Sequence, residues 1–263
     1  MRGPAAFALA VRRPDGQISV LTEPRPAITT RSPLLRLPIV RGVAVLGESL
    51  VIGIQSMLRA AELAAPDDEK IGRAELNLSV MAAMAFAIGL FFVLPTWLAN
   101  LARPHVPNSV ALNVVEGGVR AALLLGYLAV IAASRDIQRV LAYHGAEHKA
   151  IHALESGGPL TVAAARRFSR LHPRCGTSFL LFVVLVSIAL FAVFGWPVLW
   201  ERVMLRVVLL PVLAGLGYEV LRATASARSP LMAPGLLLQR LTTREPDDAQ
   251  LEVALAALAA VLV

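Results

Sequence analysis

The chain has 263 residues, 57% hydrophobic and 16% charged, with a net charge of +7. A water-soluble domain carries about 25% charge and 45–50% apolar residues, so this composition argues against a soluble fold and for a lipid solvent. The basic excess would suit nucleic acid, but the 6% aromatic residues are not interleaved with the basic ones, which argues against a base-stacking surface.

The elements follow in chain order. A short apolar run, PAAFALAV, is followed at once by Arg12 and Arg13, the reverse of a signal peptide. AFALAV and ISVLTE instead flank RRPDGQ, whose Pro-Asp-Gly is turn chemistry, so residues 6–23 are expected to form a β-hairpin. LPIVRGVAVLGESLVIGIQSML (37–58) is apolar but carries Arg41 and Glu48, and reads as a re-entrant or interfacial amphipathic helix. These pieces make an N-terminal region, 1–75, whose APDDEK (65–70) reads as an exposed turn.

Leu76 to Ala102 contains no charge and is long enough to cross a bilayer, which needs about 20 residues; Pro95 would kink it. Residues 114–134 form a second span with Glu116 and Arg120 one helical turn apart. That pair is either a structural ion pair or part of a polar path, and in both cases it faces away from lipid. A polar loop occupies 135–175, followed by spans within Gly176–Trp200 and 203–222, the latter carrying Arg206 and Glu219. In the tail, 223–263, Asp247 can cap a helix in which Leu251, Leu255, Leu258 and Leu262 form one apolar stripe. The stripe needs a partner, either the polar loop or a second copy of the chain.

Lys and Arg alternate along this plan: ten lie at or before Arg73, one in 103–113, seven in 135–174, one in 196–202 and four from Arg222 onward. The positive-inside rule then gives four spans with both termini and the 135–175 loop in the cytosol of a bacterial inner membrane. The one cysteine, Cys175, sits in that loop and excludes an internal disulfide.

The loop carries the chemistry. YHGAEHKAIHALE (143–155) holds three of the five histidines. At about 100° per residue, His144, His148, His152 and Glu155 share one helix face, with Glu147 on its flank. His144 and His152 are roughly 12 Å apart along such a helix, too far for one ion, whereas His144 and His148 can share one. His144-Gly-Ala-Glu147-His148 also has the H-x-x-E-H form, in which two histidines hold a metal and the glutamate activates water. Downstream, HPRCGTS places His172 and Cys175 on a turn that can fold back as further ligands for a divalent ion such as zinc. Lys149, Arg166, Arg167 and Arg170 would make the mouth electropositive, which suits an anionic small molecule or lipid headgroup.

YHGAEHKAIHALESGGPLTVAAARRFSRLHPRCGTSFLL resembles the central block of the bacterial YqhQ-like family of polytopic membrane proteins. RSPLLRLPIVRGVAVLGESLVIG, NVVEGGVRAALLLGYL and MAPGLLLQRLTTREPDD resemble its other blocks. The resemblance implies an activity commonly labelled metal-dependent but no substrate, and that label rests on the same His/Glu/Cys pattern. Family members have a Gly-rich stretch with a further glutamate ahead of the position of Met1-Arg2-Gly3-Pro4, so the resemblance places part of that block before Met1.

The expectation is an all-α integral membrane protein with about four spans, a His-rich polar hairpin and a small N-terminal β-hairpin. Its function reads as a metal-dependent enzyme, most plainly hydrolytic, with His144, His148 and His172 or Cys175 as ligands and Glu147 as general base. The alternative is a transporter or channel whose path runs past Glu48, Glu116, Arg120, Arg206 and Glu219, with the histidines as its gate.

Overall fold

The computed structural model describes residues 1–64, 73–226 and 232–262. The APDDEK turn lies outside them. The architecture is that of an all-α membrane protein carrying one small antiparallel sheet.

Strands β1 (Ala6–Arg12) and β2 (Ile18–Pro24) pair in the expected hairpin, with Leu9 opposite Leu21. Gly16, at φ +84°, supplies the left-handed turn residue that a Cβ would disfavour. Helix α1 (Val40–Ala64) is unbroken over 25 residues and is long and apolar enough to cross a membrane. The expectation of a re-entrant or interfacial segment rested on its two charges and on the positive-charge bias, and both charges are paired. Arg41 donates to Glu219 (Nε to Oε1, 2.7 Å), and Glu48 pairs with Arg2. Helix α1 crosses the later helix α9 (Leu210–Ser226) where Gly42 meets Gly215: a Cβ on Gly42 would lie 2.9 Å from the Gly215 Cα. Small residues let two apolar helices approach this closely where lipid supplies no hydrophobic drive.

The first charge-free span comprises α2 (Arg73–Ile88), a π-helical turn (Gly89–Val93) and α3 (Leu94–Leu101). Pro95 explains the π turn. It has no N–H to give the carbonyl of Phe91, and its ring would clash there in a regular helix. The freed Phe91 carbonyl instead accepts from Arg120 Nε at 2.9 Å. Helix α4 (Ser109–Ile131) starts on an Asn108 cap and packs against α3 and the later helix α7 (Thr177–Ala192).

Two spans differ from expectation. Helix α7 (Thr177–Ala192) covers only 16 residues, because Gly195 turns the chain at φ +68° and Pro197 follows. The last apolar stretch is split into α8 (Leu199–Val208) and α9 (Leu210–Ser226), bent by 55° where Pro211 cannot continue the helical ladder. Among the described residues three helices are long and apolar enough to cross a membrane, or four if the bent pair is one span.

The polar module comprises α5 (Arg135–Glu155), the short α6 (Val162–Ala165), the β-hairpin, and the tail helices α10 (Ala233–Thr242) and α11 (Asp248–Leu262). Asp247 and Gln250 cap α11 reciprocally, at 2.7 and 3.0 Å. The leucine stripe of α11 finds its partner within the chain. Leu251, Leu255 and Leu258 fill the space left by Ala146, Ala150 and Ala153 of α5 and Ala165 of α6, while Leu262 stays exposed. Each buried leucine contributes about 1.5–3 kcal/mol, an upper bound because the unfolded chain is already partly collapsed.

Candidate metal centre

Helix α5 presents the histidines, and two other segments close over them. The first is the end of α10 with the extended residues 243–247. It lies across α5 at Gly145, where an added Cβ would fall 2.1 Å from the Arg244 carbonyl oxygen. Arg244 N–H donates to the Leu141 carbonyl at 2.8 Å beside this crossing. The second is the turn His172–Cys175 ahead of α7. Gln239, fully buried on α10, holds it by accepting from the His172 N–H and donating to the His172 carbonyl, both at 2.8 Å.

His144 Nδ1 lies 2.7 Å from the Thr242 carbonyl, and His148 Nδ1 lies 2.6 Å from the Arg170 carbonyl. A carbonyl only accepts, so both rings carry their proton on Nδ1 and present an Nε2 lone pair. Cys175 Sγ stands 3.3 Å from His144 Nε2 and 3.1 Å from the Thr177 hydroxyl. The donor atoms of His144, His148 and Cys175 all fall within 4.8 Å of one another. Tetrahedral zinc, with nitrogen at about 2.0 Å and sulfur at about 2.3 Å, would separate such ligands by about 3.5 Å. The trio therefore fits a small divalent ion with one coordination position open.

His144 and Cys175 each favour the charged form of the other. Burial pushes the Cys175 thiol up, but the adjacent His144, His148 and Thr177 outweigh it and bring the pKa down to about 5. Burial disfavours the His144 cation, yet Cys175, the Thr242 carbonyl and Glu147 together raise its pKa above the ordinary value.

His152, Glu155 and His172 form a second converging group. Here the hydrogen bonds leave a different inventory. His172 Nδ1 accepts the Arg174 N–H at 3.1 Å, so its proton sits on Nε2, 3.3 Å from Glu155 Oε2. His152 Nε2 donates to the Leu171 carbonyl at 3.0 Å, and its ring stacks on Phe168. Burial and the neighbouring His152 lower the His172 pKa, against the pull of Glu155. This group is a hydrogen-bonded carboxylate–imidazole couple beside the first.

The structure thus brings His144, His148 and Cys175 together and places His172 with His152 and Glu155. Glu147 is exposed, outside both groups, near enough to bias His144. Lys149, expected at the mouth, is buried, donating to the Arg166 carbonyl at 3.0 Å and pairing with Glu245. Arg166 pairs with Asp248, and Arg170 donates to the Thr243 hydroxyl at 2.6 Å. Arg167 lines a shallow cavity of about 340 Å³ with Ser156, Thr161 and Phe168. Glu116 and Arg120 are buried within the helical bundle and paired at 2.7 Å. The residues that reasoning from sequence missed are Gln239, Thr242 and Thr177. Gln239 was legible as a polar residue within the apolar run LLLQRL, whereas the carbonyl partners carry no residue-type signal.

A family model described as protein of unknown function (DUF1385) matches residues 37–263. The uncharacterized protein YqhQ of Bacillus subtilis (strain 168) is 35% identical over 268 residues, covering 95% of this chain and 84% of the relative. The chain belongs to this family. No solved structure matches it.

Proposed function

We propose that this DUF1385 protein is a metal-dependent membrane enzyme whose ion is held by His144, His148 and Cys175. One observation carries the reading: two imidazoles, each locked by a backbone carbonyl, bring a ring nitrogen to within 4.8 Å of the same sulfur and of each other. Backbone carbonyls on the remote ring nitrogens are what orient metal-bound histidines generally. A divalent ion there supplies Lewis-acid activation for hydrolysis. Glu147, next to His148 on α5, is the assigned general base. Arg167 at the cavity edge and the basic character of the 135–174 segment favour an anionic substrate or headgroup. The abundance of Lys and Arg in that segment favours placing the polar module in the cytosol.

The transport reading has weaker support, because its charges are tied into separate pairs. Glu48 is with Arg2, Glu219 with Arg41, and Glu116 with Arg120 and Arg206.

Elemental analysis of detergent-purified protein tests the proposal. Near-stoichiometric metal is expected in the wild type and a loss of most of it in His144→Ala/His148→Ala. Equal metal in both, or none in protein purified without chelator, would sink the metal centre. Glu147→Gln should keep the metal while abolishing turnover, and retained turnover would remove Glu147 from its role.

A further inference from the structure

A second concentration of charge lies inside the bundle, at the end of α4 away from α5. Arg120 on α4 and Arg202 and Arg206 on α8 are 9%, 2% and 3% exposed. Among the described residues Glu116, 1% exposed, is the carboxylate that pairs with them, through Arg120 and Arg206, so about two positive charges are left uncompensated. Arg120 is fully engaged, with the Phe91 carbonyl, the Ser187 hydroxyl at 3.1 Å and Glu116. The other two are not. Arg202 Nε and Nη1, Arg206 Nε and the neighbouring Trp196 Nε1 are buried without a partner, while Arg202 Nη2 donates to Asn100 at 3.0 Å.

All four orphans are N–H donors, so what the cluster lacks is an acceptor. Aromatic rings do not supply it. The Arg202 guanidinium stacks over Trp196 at 3.9 Å, and Arg206 lies over Phe191 at 4.8 Å. Those contacts use the flat faces of the guanidinium ions, whereas the unsatisfied N–H groups lie in the plane. Buried charges are otherwise paired or bound to counter-ions.

The depth of the cluster narrows the occupant. Trp196 stacks in the cluster, Trp200 lies two residues before Arg202 on α8, and Trp97 follows Thr96, whose hydroxyl donates to Glu116 at 3.0 Å; Trp97 and Trp200 are 49% and 66% exposed. Tryptophan collects at the headgroup level of a bilayer. Glu116 is seven residues from the start of α4, about 10 Å along the helix, and fifteen residues, about 22 Å, from its α5-proximal end. The cluster therefore lies in the outer third of the span, just below the level of the exposed tryptophans and on the side opposite the histidine module.

We propose that Arg202 and Arg206, with the Trp196 indole N–H, form a phosphate-binding site, filled either by the headgroup phosphate of an anionic lipid or by free phosphate. A phosphate group matches both requirements. Its oxygens accept from forked guanidinium N–H pairs, and its charge of up to about −2 balances the excess.

Thermal unfolding of the full-length protein in neutral detergent tests this and separates the sources. Inorganic phosphate is titrated against chloride at matched ionic strength, and phosphatidic acid against phosphatidylcholine in mixed micelles. A midpoint raised by phosphate over chloride identifies free phosphate, and one raised by phosphatidic acid alone identifies the lipid. Arg202→Gln should weaken the effective probe about tenfold or more, because it removes two of the orphan donors. Glu116→Gln should retain or strengthen it, because it removes the competing carboxylate. No rise with either probe in the wild type overturns the site. An Arg202→Gln response equal to wild type, or one lost in a folded Glu116→Gln protein, does so too.

Discussion

Gly145, the second residue of HGAEH, tests whether the metal centre depends on the crossing of two backbone segments. In Gly145→Ala the new methyl carbon would lie 2.1 Å from the Arg244 carbonyl oxygen and 3.3 Å from its carbon. Backbone, not a flexible side-chain tip, is in the way, so residues 243–246 must retreat by about 1 Å to restore van der Waals contact. Overpacking of this kind costs about 1–3 kcal/mol. The retreat also strains the Arg244-to-Leu141 hydrogen bond of 2.8 Å, worth about 1 kcal/mol. Together the change should destabilise the protein by roughly 2–4 kcal/mol. It should also pull the Thr242 carbonyl from His144 Nδ1 and loosen metal binding more than the helix itself. The matched control is Gly118→Ala on α4, where an added methyl meets nothing within 4 Å. Thermal unfolding and metal content of the two variants would be compared. If Gly145→Ala unfolds no earlier than Gly118→Ala and holds the same metal, the close crossing at α5 is wrong.

Two further outcomes follow from the same geometry. Gln239→Ala removes both hydrogen bonds to the His172 backbone and leaves two buried groups unsatisfied, so it should cost roughly 2–5 kcal/mol in thermal or denaturant unfolding; wild-type stability would refute the clamp. In metal-stripped protein the Cys175 thiolate, followed by its ultraviolet absorbance, should persist until the pH falls to about 5, and His144→Ala should move that midpoint toward the ordinary thiol value. The sign is set by linkage: a folded-state pKa below the unfolded one gives stability that is complete above the unfolded value and lost as pH falls through the folded one. A midpoint in the ordinary thiol range would refute the donor arrangement around the sulfur.

Local chemistry was legible in the sequence, and long-range assembly was not. Pro14-Asp15-Gly16 announces its hairpin because only a few residue types suit that turn, and Asp247 announces its helix because a carboxylate satisfies orphan N–H groups. Helical periodicity put His144 and His148 on one face, and length alone separated His144 from His152. Periodicity could not say that Cys175 would join the first pair and His172 the second, since that depends on a turn held by Gln239 from 67 residues away. Uncharged length likewise overstated α7, because Gly195 and Pro197 stop a helix without adding charge. Arg202 was counted as a loop charge on the outer side, yet the bend at Pro211 and the face of Trp196 bring it inside.

The separation of 3.3 Å between Cys175 and His144 would also suit a cysteine nucleophile activated by a histidine, and His148 decides between the two. In a thiolate–imidazolium pair His144 Nε2 would donate its proton to the sulfur. His148 has already committed its Nδ1 proton to the Arg170 carbonyl, so such a pair leaves its Nε2 lone pair over. One thiol proton cannot satisfy two lone pairs. A divalent cation satisfies both and the thiolate together, which is why the second imidazole, redundant for a nucleophile, is required for a metal centre.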